Sequence, residues 1–273
     1  MMNVGLKAFR ARNRVMGMLL PDKVALAAAD MFLTPRSSQP KPWELSLEER
    51  GKRQQTPSGI SVISWGEERH KRVLMVHGWE SRATQLGVHI DKLCAAGYQV
   101  FAMDGPGHGF SLQGDANPLS FSEAVVDVWQ SIGPFDAMIG HSMGGNAVAN
   151  ALLREGLYCP RLVLISSPAS IEAVLTAFSD FIGLPQTCSE KFIETVETRV
   201  GIPASELDLS RSSPERAATL VIHDEADAEI PFDQARQIVK AWDNARLFAS
   251  QGFGHRKILK QPEIWDVVSE FLS

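Results

Sequence analysis

Ser142 lies in "IGHSMGG", with Gly140 two residues before it and Gly144 two residues after, where an apolar run gives way to small residues. Gly-x-Ser-x-Gly between a strand and a helix is the spacing of a nucleophile elbow, in which a sharp turn lifts the hydroxyl out and glycines let strand and helix approach. The competing reading is an ordinary turn serine. The apolar run before Ser142 and the small-faced helical pattern after it (Gly145, Ala147, Val148, Ala151 and Leu152) favour the elbow. A serine hydroxyl is a weak nucleophile at neutral pH, so the elbow requires a histidine base and a carboxylate to orient that base.

The chain has seven histidines. His70 falls in a charged turn and His89 on a helical stretch. His77, His108, His141 and His223 end strands or lie in turns, where bonding to nearby backbone accounts for them. His255 differs, because it follows the last strand pattern inside "GFGH", on a loop able to reach over a sheet edge. Around an elbow of this kind the chain order runs serine, acid, histidine. His255 is then the expected base, and the acid is expected within "HDEADAEIP", where Asp224, Glu225, Asp227 and Glu229 are the candidates.

Such side chains need a scaffold, and from residue 60 the chain alternates short β-rich runs with amphipathic ones. "ISVISW", "RVLMVHG", "YQVFAMDGPGHG", "FDAMIGHS", "RLVLISS", "ATLVIHD" and "ARLFASQG" read as strands. Strands that are apolar throughout and separated by helices predict a mostly parallel sheet covered on both faces, an α/β class fold whose ligand crevice lies beyond the carboxyl ends of the strands. Every motif above falls at such an end. The predicted division is an N-terminal helical arm and connector over residues 1–57 and an α/β domain over 58–273. A helical insertion at about 169–213 is expected to cover the crevice as a lid, with Phe178 and Phe192 on its apolar stripes.

Composition bounds the partners. The chain has 273 residues, 44% hydrophobic and 22% charged, with net charge −5, an ordinary globular balance without a basic face for nucleic acid. Up to residue 60 there are ten Lys or Arg against five Asp or Glu, so this part carries +5 and the remainder −10. Scattered among apolar residues, these charges read first as a solvated helix face, and no stable membrane insertion is expected. Cys94, Cys159 and Cys188 lack metal-ligand spacing and read as reduced, partly buried thiols of a cytoplasmic protein, and no metal or other cofactor is expected.

"VHGWESR", "DGPGHGFS", "GHSMGG", "IHDEADAEIP" and "GHRKIL", in this order, resemble the α/β-hydrolase superfamily, in particular a group of bacterial serine hydrolases. The resemblance covers roughly residues 60–273 and implies the α/β-hydrolase fold with a small helical lid. It further implies Asp227, shortly before Ile230-Pro231, as the triad acid, and the backbone N–H groups of Trp79 and Met143 as an oxyanion hole. The expected activity is cleavage of a small carboxylic ester or thioester with an apolar portion through an acyl-enzyme. An acyltransferase or perhydrolase would share these residues, and a non-catalytic receptor could share the fold. Dehalogenase and epoxide-hydrolase relatives carry aspartate where Ser142 stands.

Overall fold

The computed structural model describes residues 4–68, 71–112, 114, 116–214 and 216–273, so His70 lies outside the described residues. The strands are β1 (Lys52–Gln55), β2 (Ser61–Trp65), β3 (Lys71–Val76), β4 (Tyr98–Met103), β5 (Ala137–His141), β6 (Arg161–Ile165), β7 (Ala218–Asp224) and β8 (Ala245–Ser250). Among the described residues they form one sheet in the order β1-β2-β4-β3-β5-β6-β7-β8. The pairs β1–β2 and β2–β4 are antiparallel and the remaining five are parallel.

The helices are α1 (Val4–Leu19), α2 (Pro21–Leu33), α3 (Pro42–Arg50), α4 (Ile90–Ala95), α5 (Pro118–Ile132), α6 (Met143–Glu155), α7 (Ile171–Ile182), α8 (Gln186–Val200), α9 (Asp233–Ala241), α10 (Gly254–Lys257) and α11 (Pro262–Leu272). Contacts divide the chain into two units: the chain up to Pro35 with Ser170–Asp208, and Arg36–Ala169 with Leu209–Ser273.

The second unit is the sheet and its two helical layers. Alternate strand residues face opposite ways, so one strand feeds two cores. Leu74 and Val76 of β3 join Phe121 and Val125 of α5, Ala147 and Val148 of α6, and Ile238 of α9. Val73 and Met75 join Leu93 of α4 and Ile264, Trp265 and Val268 of α11 on the other face. This is the α/β-hydrolase sheet that the resemblance implies. Part of the segment expected to be arm and connector belongs here: β1, "KRQQ", pairs with β2, and Trp65 Nε1 donates to the Leu47 carbonyl of α3 at 2.9 Å. A polar edge strand has no apolar alternation, which is why the sequence pattern does not reveal it.

In the first unit, Ala25, Ala28 and Ala29 of α2 are buried, and small side chains let α8 approach with Cys188, Phe192 and Val196. Phe32 meets Phe178 at 5.2 Å and Phe192 at 5.9 Å, edge to face. Phe192, fully buried, therefore serves the packing of its own unit. Cys94, Cys159 and Cys188 are free thiols, and burial pushes Cys159 up to about 12.

Candidate active site

Ser142 follows β5 directly and precedes the first residue of α6, with φ 55° and ψ −125°. This left-handed backbone costs a non-glycine residue of order 1–3 kcal/mol. The strand's hydrogen bonding holds it, since Ser142 N–H donates to the Ile165 carbonyl of β6 at 2.9 Å. The flanking glycines are steric requirements. A Cβ at Gly140 would stand 2.4 Å from Gly145 Cα, and one at Gly144 would stand 2.3 Å from the Val76 carbonyl oxygen. Helix α6 thus packs backbone to backbone against the end of the sheet, and the serine is lifted clear.

His255 lies in the first turn of the short helix α10 after β8, and its Nε2 lies 3.0 Å from Ser142 Oγ. Its Nδ1 lies 2.8 Å from Asp227 Oδ2. Asp227 is itself fixed, with Oδ1 accepting from the Glu229 and Ile230 N–H groups, both at 2.9 Å. Burial pushes its carboxyl up, but bonds from His223, His255 and Ile230 outweigh burial and hold it below the ordinary carboxylate value. Asp227 is therefore ionised at neutral pH.

All four acids expected after β7 reach the loop that carries His255, each with a different partner. Asp224 accepts from Ser250 Oγ at 2.8 Å and from Phe253 N–H at 3.0 Å. Glu225 accepts from Gln251 Nε2 at 2.9 Å, and Glu229 is paired with Arg256 through two contacts of 2.9 and 3.1 Å. Only Asp227 among them meets the imidazole. The other three hold the loop at the height where His255 faces Ser142.

Two histidines that read in sequence as simple strand-end residues also bear on the site. His141 Nε2 lies 2.9 Å from the His255 carbonyl, and burial pushes its pKa down to about 3. A neutral ring donating from Nε2 pins the backbone of His255. His223 Nε2 lies 2.9 Å from the Ile230 carbonyl and 3.4 Å from Asp227 Oδ2, behind the acid. Both face the site because they lie at the carboxyl ends of β5 and β7, but sequence shows only those positions, not their partners.

The expected oxyanion donors flank the elbow. Met143 is the first residue of α6, so its N–H belongs to the helix's first turn, which has no carbonyl partner within the helix and carries its positive dipole end. Trp79 follows His77-Gly78 at the end of β3. His77 Nδ1 lies 2.7 Å from the Gly78 carbonyl, and His77 Nε2 accepts from Gly105 N–H at 2.9 Å. Burial pushes His77 down to about 3, so it is neutral, with Nδ1 the donor. In a trans peptide the Trp79 N–H points away from a carbonyl held this way. The Trp79 indole is half-buried and meets the His108 ring edge-on at 5.4 Å.

The family model described as serine aminopeptidase, S33, matches residues 67–251, a span that contains Trp79, Ser142 and Asp227 and stops short of His255. The chain belongs to this hydrolase family. Its structure is similar to three solved ones. A bromoperoxidase from Bacillus anthracis shares 16% identity over 81% of this chain and 99% of that one, with TM-score 0.61. A membrane phospholipase A, described as a bacterial virulence factor, shares 18% over 94% of this chain and 97% of that one, with TM-score 0.64. An esterase from Exiguobacterium antarcticum shares 18% over 82% of this chain and 100% of that one, with TM-score 0.61. At these identities the likeness is one of fold, the α/β-hydrolase fold. No curated protein matches in sequence.

Proposed function

We propose that this hydrolase cleaves small carboxylic esters or thioesters with an apolar portion through a serine acyl-enzyme. The observation that carries the reading is the continuous chain Ser142 Oγ, His255 Nε2, His255 Nδ1, Asp227 Oδ2, with links of 3.0 and 2.8 Å and the acid ionised. Ser142 Oγ attacks the acyl carbon as its proton passes to His255 Nε2. Asp227 holds the proton on Nδ1 and stabilises the imidazolium. The tetrahedral oxyanion is met by the N–H groups of Met143 and Trp79. His255 then returns the proton to the leaving alcohol or thiol. Water, deprotonated by the same nitrogen, releases the acid and restores Ser142.

The family's description favours a second reading, attack on the amide of an aminoacyl substrate. Such a substrate brings an ammonium group that needs an acidic partner. Glu80, the first carboxylate after Trp79, already accepts from Arg36 three times, from the guanidinium at 2.7 and 3.0 Å and from the backbone N–H at 3.3 Å. That engagement favours the uncharged ester. The test has two parts. A fluorophosphonate probe should label the native protein at Ser142 and leave Ser142→Ala unlabelled. On a panel of acyl esters, acyl thioesters and aminoacyl anilides, esters or thioesters should turn over fastest. Absence of labelling refutes the nucleophile, and a preference for anilides transfers the protein to the second reading.

A further inference from the structure

Helix α1 is apolar on its solvent side. Its inner side is anchored by Asn13, whose Nδ2 donates to the Ile182 carbonyl at 2.9 Å. At about 100° per residue, Val4, Ala8, Ala11, Val15, Met18 and Leu19 fall within one outward arc of about 100°. Val4, Val15, Met18 and Leu19 are between 58% and 81% exposed. Cations border this stripe, Lys7 and Arg14 along one side and Arg12 along the other, and α1 contains no acidic residue. Beside the stripe, α1 and α2 enclose an open apolar groove of about 370 Å³, lined by Phe9, Met16, Leu20 and Met31 with Arg12 and Lys23.

An apolar arc between two rows of cations fits an interface that is oily below and anionic above. We propose that α1 docks along the surface of a bilayer containing anionic phospholipid, its stripe at the acyl boundary, its cations on the headgroup phosphates, and one acyl chain in the groove. Charge decides against a second copy of the chain as occupant, because a two-fold contact would set one four-cation helix against its equal. Shape decides against a folded acidic protein, since a convex helix needs a matching groove whereas a lipid interface yields to it. Docking is parallel to the surface: among the described residues no helix is long and apolar enough to cross a membrane.

The test is sedimentation of the full chain with vesicles of phosphatidylglycerol and phosphatidylcholine in equal parts, against vesicles of phosphatidylcholine alone. Binding should require phosphatidylglycerol and weaken as salt is raised. Lys7→Gln with Arg14→Gln should weaken it about 30-fold, whereas Lys7→Arg with Arg14→Lys should leave it unchanged. Val15→Ser with Leu19→Ser should weaken it about 100-fold. These side chains are exposed, and circular dichroism melting checks that each variant folds. Absence of binding, equal binding to both vesicles, or binding untouched by either double substitution overturns the proposal. Without vesicle binding, a dimer by light scattering that Val15→Ser with Leu19→Ser dissolves would give the face to a second copy. Likewise, stripe-dependent binding of polyglutamate would give it to an acidic polypeptide.

Discussion

Replacing Asp227 by Asn should leave the protein folded and lower kcat by about 10⁴, and the structure shows why one atom accounts for so much. Oδ1 of Asp227 accepts from two backbone N–H groups, those of Glu229 and Ile230, at 2.9 Å each. The amide oxygen of an asparagine must take that place, because turning its NH2 there would set donor against two donors and forfeit about 2–3 kcal/mol. The NH2 then occupies the position of Oδ2, 2.8 Å from His255 Nδ1. That group can only donate, so His255 must accept at Nδ1 and carry its own proton on Nε2, aimed at Ser142 Oγ 3.0 Å away. A ring in this tautomer cannot take the serine's proton, and 10⁴ in rate is a barrier about 5.5 kcal/mol higher. The control is Asp224→Asn. Asp224 touches Ala226, Ser250 and Phe253 but not His255, so its loss should cost about 1–3 kcal/mol of stability and no more than about tenfold in kcat. Steady-state kcat and thermal melts of both purified variants on one ester decide the matter. An Asp227→Asn enzyme within tenfold of the parent, or an Asp224→Asn enzyme that is the more impaired of the two, would refute this reasoning.

Ser142→Ala should lower kcat by about 10⁴ to 10⁶ without loss of fold, while Ser142→Gly should be equally inactive but roughly 1 kcal/mol more stable, because glycine relieves the φ of 55°. A glycine variant that melts below the alanine one would argue against stored strain. Trp79→Phe should keep most activity and Trp79→Pro, which removes the N–H, should lose about 10² to 10³ in kcat. Full activity in a folded proline variant would move the oxyanion donor elsewhere. His77 and His141, pushed down to about 3 by burial from the ordinary 6.5, are neutral in the folded protein. Their contribution is whole above about pH 6.5. It falls as the unfolded chain takes up protons that the folded one refuses, by about 1.4 kcal/mol per histidine per pH unit until about pH 3. Urea unfolding from neutral pH down to about pH 5 should show this slope, and His141→Gln should remove part of it; stability flat over that range would contradict the assignment.

The elbow around Ser142 was the most legible part of the candidate site, because it is local. Whether a glycine two residues before Ser142 and another two after it can be replaced depends on a strand and helix adjacent in the chain, and the spacing therefore shows in seven letters. The parallel sheet was legible for a related reason, since strands covered on both faces must be apolar at every position. β1 escaped because an edge strand of Lys, Arg and Gln looks like any solvated stretch, and its pairing with β2 rests on backbone hydrogen bonds that carry no side-chain signal.

By itself the sequence determined the order of strands and intervening helices from residue 60 on, the position of the elbow, and a short set of residues at strand ends among which a base and an acid were expected. Residue types alone left Asp224, Glu225, Asp227 and Glu229 equivalent, and Asp227 stood apart by resemblance and by its place three residues beyond Asp224, before Ile230 and Pro231. Tertiary structure sets them apart by distance: the chain leaves β5, β7 and β8 so that residues 142, 227 and 255 meet beyond the carboxyl ends of the strands, and of the four carboxylates that of Asp227 lies 2.8 Å from His255 Nδ1. It also gave His141 and His223, which read in sequence as strand-end residues, contacts with the His255 carbonyl and the Asp227 carboxylate. Hydrogen bonding falls off within fractions of an ångström, and separations of 28 and 114 residues along the chain say nothing on that scale.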